Sequence, residues 1–113
     1  MEFHLLTLHP DLVEGPLNGS ILGRAQRAGR FTASVHDIRE HGLGRHKTVD
    51  DSPYGGGAGM VMRVDVVVKA IEAVRRPESK VFLMSPGGRR LDQAFAQELA
   101  REEHLVLVCG HYE

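Results

Sequence analysis

One cysteine, no tryptophan and no charge excess set the first limits on this chain: 14 Lys and Arg stand against 15 Asp and Glu in 113 residues. The lone Cys109 rules out an internal disulfide and suits a reducing compartment. The longest apolar runs are about five residues, far short of the ~20 that cross a bilayer. The N-terminus also lacks the basic start and small-residue cleavage site of a signal peptide. A cytoplasmic protein with no membrane attachment is therefore expected. A neutral total gives no bulk attraction to nucleic acid, although it leaves room for a local patch. Internal repeats and low-complexity tracts are missing as well. With 42% apolar and 26% charged side chains, one compact domain with a modest core is expected.

What is present is unevenly distributed. Between Ser20 and Lys47, six basic residues (Arg24, Arg27, Arg30, Arg39, Arg45 and Lys47) face two acids, Asp37 and Glu40, with His36, His41 and His46 interleaved. This is a basic stretch in a neutral protein.

The periodicity gives a strand–helix alternation. Phe3–Leu8 (FHLLTL) reads as a buried strand that ends in a turn at His9-Pro10. Ser20 is placed to cap a short helix carrying Ile21, Leu22 and Ala25, with Gly29 in the left-handed position at its end. Phe31, Ala33 and Val35 then alternate with polar residues, as in a strand covered on one face. Residues 38–63 show no sustained period and read as a long loop, a feature that in compact domains is usually functional or mobile. Val64, Val67, Ile71 and Val74 predict a helix that ends before Pro77, with a strand left open by the β-branched run 66–68. KVFLM (80–84) and LVLVC (105–109) read as buried strands around a helix over 92–101 whose apolar side is Leu91, Ala94, Phe95 and Leu99. Strand, helix, strand at this spacing predicts a right-handed crossover in a parallel sheet. SPGG (85–88) and GHYE (110–113) would then leave from the carboxyl ends of nearby strands, where open parallel sheets hold ligands.

The unusual stretch is DDSPYGGGAGM (50–60). Glycines permit positive φ and let a flat or charged group approach the bare main chain, so this segment is either a contact surface or a flexible turn. No Gly-Lys-Ser/Thr follows, which excludes a Walker loop and disfavours a nucleotide-triphosphate enzyme. Nor does it join a buried strand to a helix at dinucleotide-binding spacing. Pro53 and Tyr54 suggest a loop held in one shape. Of the adjacent Asp50 and Asp51, one can bind or accept a proton while the other caps a turn, or both are solvated turn acids. Ser85-Pro86-Gly87-Gly88 offers exposed main chain to the edge of a planar ring, or is simply a tight connection. In the last motif Gly110 permits close approach, Tyr112 can stack and Glu113 can pair with a cation, or the segment is merely a strand end. Cys109 reads as a small buried filler rather than a nucleophile. The seven histidines match no familiar zinc spacing, so no metal site is expected. His46 beside Lys47 suits phosphate or base contacts.

These motifs in order (TLHP, SILGRA, DIR, RHKTVDDSPYGGGAGMVM, SPGGRRLDQ and LVCGHYE) span essentially the whole chain. They resemble the bacterial tRNA (guanine-N1)-methyltransferases, members of the trefoil-knotted SPOUT class. The resemblance implies an α/β fold, a mostly parallel sheet with flanking helices. It also implies a homodimer that transfers a methyl group from S-adenosylmethionine to N1 of guanosine 37, next to the tRNA anticodon. By motif, Ser85, Pro86, Gly110, Tyr112 and Glu113 would line the cofactor site. His46, Asp50, Tyr54, Gly55, Gly56, Gly57 and Gly59 would serve the target base. Mg2+ is left open, with no ligand assigned.

Two positions depart from the family pattern: His111 stands where arginine is usual, and SPGG replaces the more common SPQG. The family motif also continues past Glu113. Residues 1–113 are therefore expected to be the N-terminal part of the methyltransferase domain, with the knot incomplete and the catalytic base and C-terminal tRNA-binding domain lying beyond. Such a chain alone is expected to be inactive. The alternative is an RNA-binding or dimerising module without cofactor affinity.

Overall fold

A computed structural model describes residues 1–110; the predicted cofactor residues Tyr112 and Glu113 lie outside the described residues, as does His111. Four strands form one parallel sheet in the order β2-β1-β6-β5, with β1 at Glu2–Thr7, β2 at Thr32–Asp37, β5 at Lys80–Leu83 and β6 at His104–Cys109. The expected α/β class and parallel sheet are observed. β1 is the hub. It pairs in register with β2 from Glu2↔Thr32 to Thr7↔Asp37 and with β6 from Glu2↔His104 to Thr7↔Cys109. β5 joins the far side of β6, from Lys80↔Leu105 to Leu83↔Val108. The chain thus builds outward from β1 in one direction, then crosses over to build in the other. In open parallel sheets that reversal opens a crevice at the carboxyl ends.

The core lies on one face of this sheet. Leu6, Val106 and Val108 share that face because alternate strand residues point the same way. They meet Val66 and Ala70 of helix α3 (Val64–Val74), and all five are at most 2% exposed. The spacing of Val66 and Ala70 puts both on one side of the helix. β6 takes the continuous apolar run expected of a strand covered on both faces.

Four expectations are corrected. First, His9-Pro10 opens helix α1 (Pro10–Asn18) rather than a turn. Proline fits the first helical position because its missing N–H has no partner there anyway. Pro16 lies inside the same helix, which has no buried residue, so neither periodicity nor composition signals it. Second, Ser20 makes no capping hydrogen bond. Gly19 holds the cap position of α2 (Ser20–Arg27) and Ser20 itself has φ 51°. Gly29 does take the left-handed conformation, at φ 75°.

Third, residues 38–63 are ordered rather than a bare loop. Ile38–His41 forms a 3-10 turn, with Asp37 accepting from the Arg39 N–H, and Leu43 bridges to Thr48. Strands β3 (Asp50–Asp51) and β4 (Val61–Met62) then pair as an antiparallel hairpin. Ile38 and Val49, each 1% exposed, pin this insert to the main core. Gly42 lets it close, because a Cβ there would stand 2.4 Å from the Lys47 carbonyl. Fourth, β5 is an edge strand with exposed Val81 and Leu83, not a buried one. Helix α4 (Gln93–Leu99) is capped by Asp92 through the Phe95 N–H and buries Phe95, while Leu91 stays exposed. Among the described residues no helix is long and apolar enough to cross a membrane.

Candidate functional site

At the carboxyl ends of β5 and β6 lies a cavity of about 300 Å3. Leu83, Met84 and Val108 of the sheet form one side and Val64, Val67 and Val68 of α3 the other. Met62, at the base of the hairpin, closes a third wall, and Ser85 and Gly110 stand at its rim. The sheet ladder runs one step past β5, with the Met84 N–H donating to the Val108 carbonyl at 2.9 Å. Ser85 Oγ accepts from the Gly87 N–H at 3.2 Å, which turns the SPGG segment back toward α4. A Cβ on Gly110 would lie 3.9 Å from Met62 Cγ, so the glycine sits directly against the hairpin base.

The cavity unites Ser85 and Gly110, two of the predicted cofactor residues. Pro86 is exposed and does not line it. The apolar walls were not anticipated. Their signal was an excess of valines in VDVVVKA beyond what one buried helix face needs, and Val64 and Val68 are 77% and 46% exposed. Cys109 is half-buried, and burial pushes its thiol pKa up, in keeping with a filler rather than a nucleophile.

The predicted base-binding residues lie on the insert. Asp50 is half-buried opposite Met62, whereas Asp51 is exposed and paired with Arg63 at 3.3 Å. Arg63 also bridges to Asp65 at 3.1 Å, and its hydrogen bond holds the Asp65 carboxyl below the usual range. The same contact raises Arg63. This guanidinium clamps the hairpin to the start of α3. Asp51 Oδ1 further accepts from the N–H of the next residue, Ser52, at 2.8 Å.

Past that clamp the chain is bare. The Gly56 N–H donates to the Pro53 carbonyl at 3.0 Å, and Gly55, Gly56, Gly57 and Gly59 have φ of 85°, 92°, 113° and 84°. A Cβ at any of them would meet nothing within 4 Å. The glycines are thus required by backbone conformation, not by crowding. Tyr54 is fully exposed, so its ring does not brace the loop. Neither the tip nor the exposed His46 lines the cavity. Arg24, Arg27, Arg30, Arg39, Arg45 and Lys47 are all exposed, and none forms an ion pair among the described residues.

The fold is that of an α/β domain with an apolar cavity at the carboxyl edge of its parallel sheet, the place where open parallel sheets characteristically hold ligands. The family model for tRNA (Guanine-1)-methyltransferase TrmD matches residues 1–113. The chain is 50% identical over 116 residues to a tRNA (guanine-N(1)-)-methyltransferase of Chloroflexus aggregans, covering 100% of this chain and 46% of that protein. Proteins of the same description from Citrifermentans bemidjiense (51% over 115 residues, 46% of its length) and Carboxydothermus hydrogenoformans (48% over 113, 45% of its length) likewise cover 100% of this chain. The chain therefore belongs to the tRNA (guanine-N1)-methyltransferase family, whose fold is of the SPOUT class. It spans about half the length of the curated relatives it matches.

Proposed function

We propose that residues 1–113 are the N-terminal part of an S-adenosylmethionine-dependent enzyme that methylates N1 of guanosine 37 in tRNA, in the cytoplasm and as a homodimer. The observation that carries this reading is the cavity between Ser85, Gly110 and Met62, which joins the two sheet-end turns to the base of the glycine hairpin. Its chemistry fits the cofactor. The valine and leucine walls suit the flat apolar face of an adenine, and main chain at Ser85 and Gly110 suits its hydrogen-bonding edge. When bound, S-adenosylmethionine supplies an electrophilic methyl group on a sulfonium.

The chain's own residues then have three tasks. Val64, Val67, Leu83 and Val108 keep water from one side of the reacting centre. The Gly55–Gly59 main chain, free of side chains, receives an unstacked guanine, with His46, Asp50 and Tyr54 around it. The exposed cations from Arg24 to Lys47 hold anticodon-stem phosphates. Methylation replaces N1–H by N1–CH3, so a base must take that proton. We place this base outside residues 1–113, and Tyr112 and Glu113 at the cofactor. Mg2+ is given no ligand in this reading. Exposed Ile21, Val81 and Leu91 are apolar surface that a partner subunit would cover.

Calorimetric titration with S-adenosylhomocysteine, alongside methylation of unmodified tRNA, tests the reading. Saturable binding without turnover by the 113-residue chain is expected, and robust turnover would show that the base lies within it. The same exposed cations favour a second reading, an RNA-binding module without cofactor affinity. tRNA binding with no response to S-adenosylhomocysteine would establish that instead.

A further inference from the structure

We propose that Glu2, His4 and His104 form a Zn2+-type metal site at the amino-terminal end of the sheet, with Ser79 and His36 orienting the two imidazoles. Register creates it. Glu2 and His4 are two apart on β1, and Glu2 lies directly beside His104 of β6, so all three point to one face. Glu2 Oε2 is 2.5 Å from His4 Nε2 and 3.4 Å from His104 Nε2. The three ligand atoms lie within 4.8 Å of one another.

His104 is the residue that calls for a ligand. It is 1% exposed, and among the described residues its Nε2 has no hydrogen-bond partner although it stands 3.4 Å from the Glu2 carboxylate. An orphaned buried nitrogen is costly and rare. Its other nitrogen, Nδ1, is 2.6 Å from Ser79 Oγ, which also accepts from the Arg76 N–H at 2.8 Å. With Nδ1–H donating to that oxygen, Nε2 carries a lone pair 3.4 Å from a carboxylate. A cation between them satisfies both. His4 has the same build: Nε2 faces Glu2, and Nδ1 is 2.8 Å from His36 Nε2. Ligating histidines characteristically have such an outer partner on the second nitrogen.

Two imidazoles and one carboxylate select a borderline transition metal over Mg2+ or Ca2+, which favour oxygen ligands. Tetrahedral Zn2+ sets neighbouring donors about 3.3 Å apart. The Glu2–His104 separation of 3.4 Å is already close to that value, while the Glu2–His4 pair at 2.5 Å would have to open to admit the ion. The ion would replace the proton that bridges His4 and Glu2, and the exposed Arg76 now 3.2 Å from Glu2 would swing away. Access exists. A cavity of about 410 Å3 opens here, lined by Glu2 and His104 and by two further acids, Glu78 and Glu103. The bound ion would tie the start of β1 to β6 and, through Ser79, to the turn before β5.

The test is Zn2+ titration of the chelator-stripped full chain against a chromogenic competitor at neutral pH, with melting temperature read in parallel. Expected are one equivalent bound, a rise in melting temperature, and loss of both in Glu2→Gln and His4→Gln. Ser79→Ala should weaken binding about 10- to 100-fold, while His41→Gln retains it. Absence of saturable binding, or unchanged affinity in the Glu2 and His4 variants, overturns the proposal. Should those variants fail to fold, X-ray absorption on the zinc-loaded wild type decides: two imidazoles in the coordination shell support the site, and any other number refutes it.

Discussion

At the carboxyl end of β5 and β6 the strands finish against Val64, Val67 and Met62, with main chain from Ser85 and Gly110 at the rim. At the amino end of β1 and β6 the main chain is instead tied into the ladder, the Glu2 N–H to the Glu103 carbonyl and the Thr32 N–H to Met1, and side chains converge. His4 stacks between His36 (5.1 Å between centroids) and His104 (4.7 Å) there. Burial, aided by the neighbouring His4, lowers the pKa of His36. The same parallel sheet thus offers two kinds of recognition about one strand length apart. One end is stripped of side chains so that a ligand can reach the backbone; the other closes the backbone and presents imidazole and carboxylate.

The strongest challenge to this contrast is Leu6→Ala. Leu6 is fully buried and lies in register between Val108 and His36, so it ties the central strand to both neighbours. A loss of about 2–5 kcal/mol is expected in denaturant titration, and a much smaller loss would mean that the core cluster does not hold the sheet on which both ends are built. Gly110→Val acts at the carboxyl end alone. The valine Cβ meets only Met62 at ordinary contact distance, so the fold should persist, while the rest of the side chain fills the cavity rim. S-adenosylhomocysteine affinity should fall about 30- to 100-fold, or about 2–3 kcal/mol, with zinc affinity unchanged.

Glycine substitutions sharpen the comparison further. Gly57→Ala places an alanine at φ 113° in open space, so strain of about 1–2 kcal/mol should appear as faster proteolysis of the hairpin tip. Gly15→Ala lies in helix α1, also in open space, and should instead raise stability by about 0.5–1 kcal/mol. The smallest effect is electrostatic. Because Arg63 lowers the Asp65 pKa in the folded state, the Asp65 contribution is present at neutral pH and is lost as pH falls through the folded value. Asp65→Asn should flatten the acid limb of the stability profile measured by thermal melts.

Much of the fold was legible locally. β1, β2 and β6 announce themselves by apolar runs or alternation, α3 by its 3–4 spacing, and α4 by the apolar side Ala94, Phe95 and Leu99. α1 was not legible, because two prolines and no buried face hide it. The insert was misjudged because its anchors, Ile38 and Val49, are single apolar residues without a period. Similarly, an isolated KVFLM cannot reveal whether it lies at the centre or the edge of a sheet. At the candidate site the turn residues Ser85 and Gly110 were legible, since each follows a strand, whereas the valine walls depend on how α3 is set over β5 and β6.

The sequence by itself determined where the backbone is bare and where cationic side chains accumulate, because glycine conformation and formal charge are properties of residues. The Glu2–His4–His104 cluster is different in kind. Glu2 and His104 stand at opposite ends of the chain, and only the parallel register of β1 with β6 makes them neighbours. Pairing of strands is chosen by long-range burial around Leu6 and Val106, which no local stretch of sequence encodes.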